Sequence, residues 1–183
     1  MGNRAVFIDR DGTINQNVEY LSDPNNFKMH PGVAEGVGLL KKEGFKVIVV
    51  TNQSGIARGY FSIEDLERIH ARMIAELATH GAVIDGIYYC PHHPDEGCDC
   101  RKPRTALFEK AIKDFEIHTA SSFVIGDRML DMEAGRNVGC KTILVPEDKE
   151  RVREEMEDST VTPDFVGEDF SSAVNWILEC ASL

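Results

Sequence analysis

Ala5-Val6-Phe7-Ile8-Asp9-Arg10-Asp11-Gly12-Thr13 joins a short, wholly apolar run to two carboxylates and a glycine. A run without polar alternation predicts a strand buried on both faces, the kind found inside a parallel sheet. The glycine permits a sharp turn, so the two acids face one small volume just beyond the strand. Comparable runs recur at 47–50, 87–89, 123–125 and 142–145. Helical spacing fills the intervals. Leu66, Ile69, Met73 and Leu77 share one face, and Ser62 with Asp65 predicts a capping box at that helix's start. Leu107, Ala111, Ile112 and Phe115 make a second face, and Phe170, Val174, Ile177 and Leu178 a third. Such alternation predicts an α/β fold, with an open, mostly parallel sheet and helices on both sides.

The 183 residues suit a single domain, 1–183. Apolar residues make up 42% and charged residues 28%, the balance of an ordinary globular chain. No apolar run is long enough to span a membrane, and the first residues lack the pattern of a secretory signal, which predicts a cytoplasmic location. A net charge of -11 without any Lys/Arg block argues against nucleic acid as a partner. A small phosphorylated substrate remains compatible, given a few cations and a metal inside one cleft. The segment 147–158, dense in both charge signs, predicts a solvated helix or loop. No heptad or apolar stripe announces an interface, so a monomer is expected.

Ligands of open α/β sheets gather beyond the carboxyl ends of the strands. Asp9 and Asp11 follow the first run, Thr51 and Asn52 the second, Cys90 the third, and Gly126 and Asp127 the fourth. Carboxylates brought together without a cation would repel and partly protonate, so the set predicts a hard divalent ion, Mg²⁺, with Asp127 joining Asp9 and Asp11. Asp9 is the expected nucleophile toward phosphorus, and Asp11 the group that protonates the leaving oxygen and then deprotonates water. Thr51 offers a hydroxyl donor and Lys102 a positive charge to the transferring group.

Asp9-Arg10-Asp11-Gly12-Thr13, Val50-Thr51-Asn52, Arg101-Lys102-Pro103 and Gly126-Asp127 with Asp131 stand in the order of four motifs of the haloacid dehalogenase (HAD) phosphatase superfamily, which the chain resembles. The resemblance implies a three-layer, Rossmann-like (HAD-like) fold and an aspartyl-phosphate intermediate. It also implies Mg²⁺ held by Asp9, Asp127 and the backbone carbonyl of Asp11, with Asp131 in support. Too few residues separate Asp11 from the second strand for a large cap domain.

Cys90-Pro91-His92-His93-Pro94-Asp95-Glu96-Gly97-Cys98-Asp99-Cys100 holds three of the five cysteines. Three thiolates and an imidazole match a closed structural Zn²⁺ site in the 90–100 loop, with Cys90, Cys98, Cys100 and His92 as ligands; His93 stays open as an alternative. Such a staple would hold Lys102, which follows directly. Cys140 and Cys180 are expected as buried thiols.

The stretches 51–59, 88–94 and 98–103 resemble the heptose bisphosphate phosphatases within that superfamily. Members remove the 7-phosphate of D-glycero-D-manno-heptose 1,7-bisphosphate in bacterial surface-glycan (lipopolysaccharide) precursor synthesis. By motif match, Arg101 would recognise substrate, Thr51 and Lys102 would steady the phosphoryl group, and Asn52, Gln53, Ser54 and Arg128 would line the site. Asn17 and Tyr20 lie on the loop where the family contacts sugar. Arg58 is a further cation expected near the cleft. The alternatives are a histidinol-phosphate phosphatase, which shares the acids and a similar loop, and a catalytically idle, Zn²⁺-stapled interaction module.

Overall fold

The computed structural model describes residues 2–182. Six strands, β1 (Ala5–Ile8), β2 (Lys46–Asn52), β3 (Gly86–Cys90), β4 (Phe123–Gly126), β5 (Lys141–Leu144) and β6 (Phe165–Val166), form one sheet in the order β3-β2-β1-β4-β5-β6. Every pairing is parallel. Six helices accompany them: α1 (Val33–Lys42), α2 (Ile63–Ala78), α3 (Ala106–Asp114), α4 (Met129–Asn137), α5 (Lys149–Asp158) and α6 (Phe170–Ala181).

The apolar run of β1 is explained by where its side chains go. Val6 and Ile8 join one core with Val37 and Leu40 of α1, Ile69, Met73 and Leu77 of α2, and Phe170, Val174 and Ile177 of α6. Ala5 and Phe7 join the opposite core with Phe108 and Ala111 of α3 and Ala134 of α4. Both faces of the strand are therefore covered, which gives three layers. The chain runs outward from β1 through β2 to β3, then returns to β4 on the other side of β1 and continues to β5 and β6. The reversal makes the crevice between β1 and β4 the topological switch point.

Several boundaries depart from the periodicity. β2 extends through the polar Thr51 and Asn52 because both pair with β3, opposite Tyr89 and Cys90. β6 has two residues, too few to show a period. Within segment 147–158, Lys149–Asp158 form α5, which Asp148 caps and whose only buried residue is Val152. Ser62 and Asp65 do form the capping box of α2. Cys140 is buried, but Cys180 is only partly so, on the last turns of α6. Between Asp11 and α1 lies only one short 3₁₀ turn, Pro24–Asn26, so no large cap covers the carboxyl edge of the sheet. Among the described residues no helix is long and apolar enough to cross a membrane.

The other edge of the sheet is tied down by Asp85, just before β3. Its carboxylate accepts from Val47 N at 2.8 Å and Lys46 Nζ at 3.2 Å, and pairs with Lys41 of α1. Burial alone would raise its pKa, but Lys41, the Val47 N–H and Lys46 outweigh that and hold it below the ordinary carboxylate value. The stabilisation is therefore complete above the unfolded pKa of about 4 and is lost as pH falls through the lower folded value. Asp85→Asn should cost about 1–2 kcal/mol at neutral pH in denaturant unfolding, and the gap between the two proteins should close in acid. A gap that is absent at neutral pH, or that does not narrow as pH falls below the unfolded carboxylate pKa, would contradict this linkage.

Candidate active site and metal centres

The loop leaving β1 winds around one carbonyl. Thr13, Ile14 and Asn15 all donate backbone N–H groups to Arg10 O, at 3.3, 2.8 and 3.1 Å, and Gly12 N donates to Asn15 O at 2.8 Å. Gly12 has φ +83°, and a Cβ there would collide with the Asp127 carboxylate. Glycine is required here by backbone conformation and by the close approach of the second acid. Asp9 N donates to Ile125 O at 3.0 Å, which fastens this loop to the end of β4 across the switch point.

Asp9, Asp127 and Asp131 converge, with one carboxylate oxygen from each within 4.8 Å of the others. Lys102 lies among them, only 3% exposed. Its Nζ donates to Asp9 Oδ1 at 2.8 Å and Val50 O at 2.7 Å, and lies 2.7 Å from Asp131 Oδ1. Burial would lower the lysine pKa, but Asp131 and Asp9 more than offset it and keep the ammonium charged. Asp131 is pushed up to about 6 by burial and by Asp9, against the pull of Lys102. Asp127 is pushed up to about 9, first by burial and then by the charges of Asp9 and Asp131. Its Oδ1 is buried without a hydrogen-bond partner. One ammonium does not compensate this acidic set, and an oxygen-only cluster with an orphaned buried acceptor suits Mg²⁺.

The carboxylate of Asp11 does not join that cluster. Arg10 Nη2 donates to both of its oxygens, at 2.9 and 2.7 Å, while Asn15 Nδ2 at 3.0 Å and Gln53 Nε2 at 2.9 Å add further donors. Burial would raise the Asp11 pKa, but the Arg10 charge and these hydrogen bonds hold it below the usual range. Gln53 Nε2 also donates to Thr51 Oγ1 at 2.9 Å. Asn52 clamps the neighbouring loop, with its Oδ1 accepting from Lys102 N at 3.1 Å and its Nδ2 donating to Lys102 O at 3.3 Å.

These groups open into a cavity of about 440 Å³ lined by Asp9, Asp11, Asn17, Tyr20, Thr51, Asn52, Gln53, Ser54, Arg101, Lys102, Asp127 and Arg128. Arg101 Nη1 is buried and unpartnered. Arg128 is less free, since its Nε donates to Glu155 of α5. Tyr20 takes φ +52° and packs edge-on against Tyr60, with ring centroids 4.5 Å apart. Arg58, expected near the cleft, is not among its lining residues but lies beside one of them, over the Tyr20 ring.

In the 90–100 loop, Cys90 Sγ lies 3.6 Å from Cys98 Sγ and 3.1 Å from Cys100 Sγ, with 3.6 Å between the latter two. His92 Nδ1 lies 3.1 Å from Cys100 Sγ and 3.5 Å from Cys90 Sγ. These separations are near the ligand edges of about 3.5–3.8 Å in a tetrahedral zinc site, and far beyond a disulfide bond. His93 is turned elsewhere, where its Nδ1 accepts from Asp95 N and caps the short turn Pro94–Glu96. His92 is thus the imidazole that faces the sulfurs.

Sequence reasoning assigned no role to four groups. Arg10 is wholly buried, and its Nη1 contacts His70 of α2. Arg151 lines the cavity from α5, and Glu155 on the same helix anchors Arg128. Arg10 stood inside the first motif, but nothing in its neighbours signals a buried guanidinium. Arg151 and Glu155 lie in a segment whose mixed charge looks like a solvated surface.

Comparison with known proteins agrees with this geometry. Residues 99–173 match a family model described as HAD-hydrolase-like. D-glycero-beta-D-manno-heptose-1,7-bisphosphate 7-phosphatase of Haemophilus ducreyi is 43% identical over 149 residues, covering 78% of this chain and 82% of that one. A probable D-glycero-D-manno-heptose-1,7-bisphosphate 7-phosphatase of Thermoplasma volcanium is 41% identical over 136 residues, covering 74% and 93%. The solved structure of D,D-heptose 1,7-bisphosphate phosphatase from B. bronchiseptica, complexed with magnesium and phosphate, superposes with a TM-score of 0.88 at 31% identity, covering 97% of this chain and 99% of that one. Sequence, sheet order and the acids gathered at the switch point together assign the chain to the D-glycero-D-manno-heptose-1,7-bisphosphate 7-phosphatase family of HAD-like hydrolases.

Proposed function

We propose that the chain is a Mg²⁺-dependent phosphatase that removes the 7-phosphate of D-glycero-D-manno-heptose 1,7-bisphosphate through an aspartyl-phosphate on Asp9, as a cytoplasmic monomer in surface-glycan precursor synthesis. The carrying observation is the meeting of Asp9, Asp127 and Asp131 around Lys102 at the β1/β4 crevice, in a chain whose relatives bear that activity in their names. Asp9, Asp127 and the backbone carbonyl of Asp11 would hold Mg²⁺, which would supply the positive charge that lets carboxylates and phosphoryl oxygens share one site.

Lys102 engages Oδ1 of Asp9 and fixes its rotamer. Asp9 attacks phosphorus, forming an acyl phosphate bond as the bond from phosphorus to the sugar oxygen breaks. Asp11 gives that oxygen its proton. Arg10 holds Asp11 ionised before substrate arrives, and the anionic phosphoryl group, placed beside it, favours the protonated form. Asp11 then takes a proton from the water that attacks phosphorus, which releases inorganic phosphate and restores Asp9. Thr51 and Lys102 steady the phosphoryl oxygens. The unpartnered Nη1 of Arg101 is available for an anionic group of the substrate, while Asn17, Tyr20, Asn52, Gln53, Ser54 and Arg128 bound the sugar.

The second metal in this reading is structural Zn²⁺ on Cys90, His92, Cys98 and Cys100. The loop has no apolar core of its own, and Lys102 begins two residues after its last ligand, so the ion would keep the ammonium aimed at Asp9.

Asp9→Asn should lower Mg²⁺-dependent phosphate release by at least about 10³-fold without unfolding the chain, in a phosphate assay paired with thermal melting. Undiminished release would remove Asp9 as nucleophile. Among the α and β heptose bisphosphates and histidinol phosphate, a heptose bisphosphate should show the highest kcat/KM; preference for histidinol phosphate would refute the substrate. Metal analysis should find one zinc per chain, and chelation followed by Mg²⁺ restoration should leave activity at least about tenfold lower. Full activity in zinc-free protein would dismiss the staple.

A further inference from the structure

His70 lies in the middle of α2, buried, outside the residues that line the cavity. Its Nε2 sits 3.2 Å from Nη1 of Arg10. The guanidinium of Arg10 is itself fully buried, and its other nitrogens are committed: Nε donates to Asp11 Oδ1 at 3.1 Å, and Nη2 to both Asp11 oxygens. We infer that His70 is a positioning residue for proton transfer, acting through Arg10 to fix the carboxylate of Asp11; this rests on the phosphatase reading above.

The chemistry of the contact sets the state of the imidazole. A guanidinium can only donate, so Nε2 must present its lone pair and the ring proton must sit on Nδ1. Burial and the Arg10 charge both favour that neutral ring, drawing its pKa down to about 4. Removing the acceptor would leave a donor of a buried cation unsatisfied, and the guanidinium would reorient to find a partner. Asp11 would move with it, because Arg10 supplies three of the five side-chain hydrogen bonds to that carboxylate. The support comes from a rigid element. α2 is capped by Ser62 and Asp65 and anchored by Leu66, Ile69 and Met73, so the chain of contacts from helix to acid rests on the core and not on a loop.

Misplacing a general acid slows departure of a poor leaving group more than of a good one. The test compares kcat/KM for heptose bisphosphate, whose sugar oxygen must take a proton to leave as the alcohol, with p-nitrophenyl phosphate, whose phenolate leaves without one; kcat/KM reports the first phosphoryl transfer in both cases. In His70→Leu the sugar-to-aryl ratio should fall about 10-fold or more, and His70→Gln, whose amide oxygen can accept from Nη1, should recover it to within about 3-fold. Equal losses on both esters would mark His70 as merely structural and overturn the inference, as would an unchanged ratio in the leucine variant or no recovery with glutamine. Thermal melting of both variants separates misfolding from misplacement. Wild-type protein that releases no phosphate with Mg²⁺ would instead refute the phosphatase reading, and this inference with it.

Discussion

A single buried ammonium organises the carboxyl edge of this sheet. Lys102 is held between Asp9 and Asp131 and against the Val50 carbonyl within β2, so one charge connects β2 with the chain segments after β1 and β4. Burying a cation is costly unless its partners are close and well directed, and here two carboxylates and a carbonyl meet that condition. The cost runs the other way for Asp127, whose buried oxygen has no donor and whose neighbours are acids. The site is balanced on one side and electron-rich on the other. That asymmetry is what a divalent ion and a phosphoryl dianion complete together.

The fold supplies this arrangement through its topology more than through local strength. Reversal of strand order around β1 leaves a crevice between two strands whose following loops carry Asp9 and Asp127. Gly12 lets those loops touch, because the space that its side chain would fill belongs to the Asp127 carboxylate. The opposite edge, pinned by Asp85 to α1 and β2, carries stability and faces away from the chemistry. Rigid strands thus position acids that flexible segments alone would not hold together.

Legibility in the sequence followed a physical rule. Strands buried on both faces, such as β1, β2 and β4, are built on unbroken apolar runs, so their place in the chain and the acids beyond β1 and β4 can be read directly. The four converging donors of the 90–100 loop are also legible, because softness and spacing of the donors are written in the sequence; only the choice between His92 and His93 needed coordinates. Burial of polar groups was not legible. Arg10 and His70 look like surface residues by type, yet both are buried and in contact with each other. Arg151 and Glu155 were hidden in a charged stretch with one buried residue, Val152, and β6 is too short to carry a pattern. The carboxylate of Asp11, grouped with the metal-facing acids on sequence grounds, instead faces Arg10, Asn15 and Gln53.

The division of labour proposed for the two neighbouring acids matches their surroundings. Asp9 faces an ammonium and the acidic cluster, and Asp11 faces a guanidinium and two amides, so two identical side chains meet different electrostatic environments. The most direct test is a single turnover with enzyme in excess, quenched in acid at short times and analysed by peptide mass spectrometry. A phosphoryl group that rises and decays on Asp9, with heptose 1-phosphate appearing before inorganic phosphate, is the expected result. A phosphoryl group on any other residue, or both products appearing together with none on the protein, would contradict it.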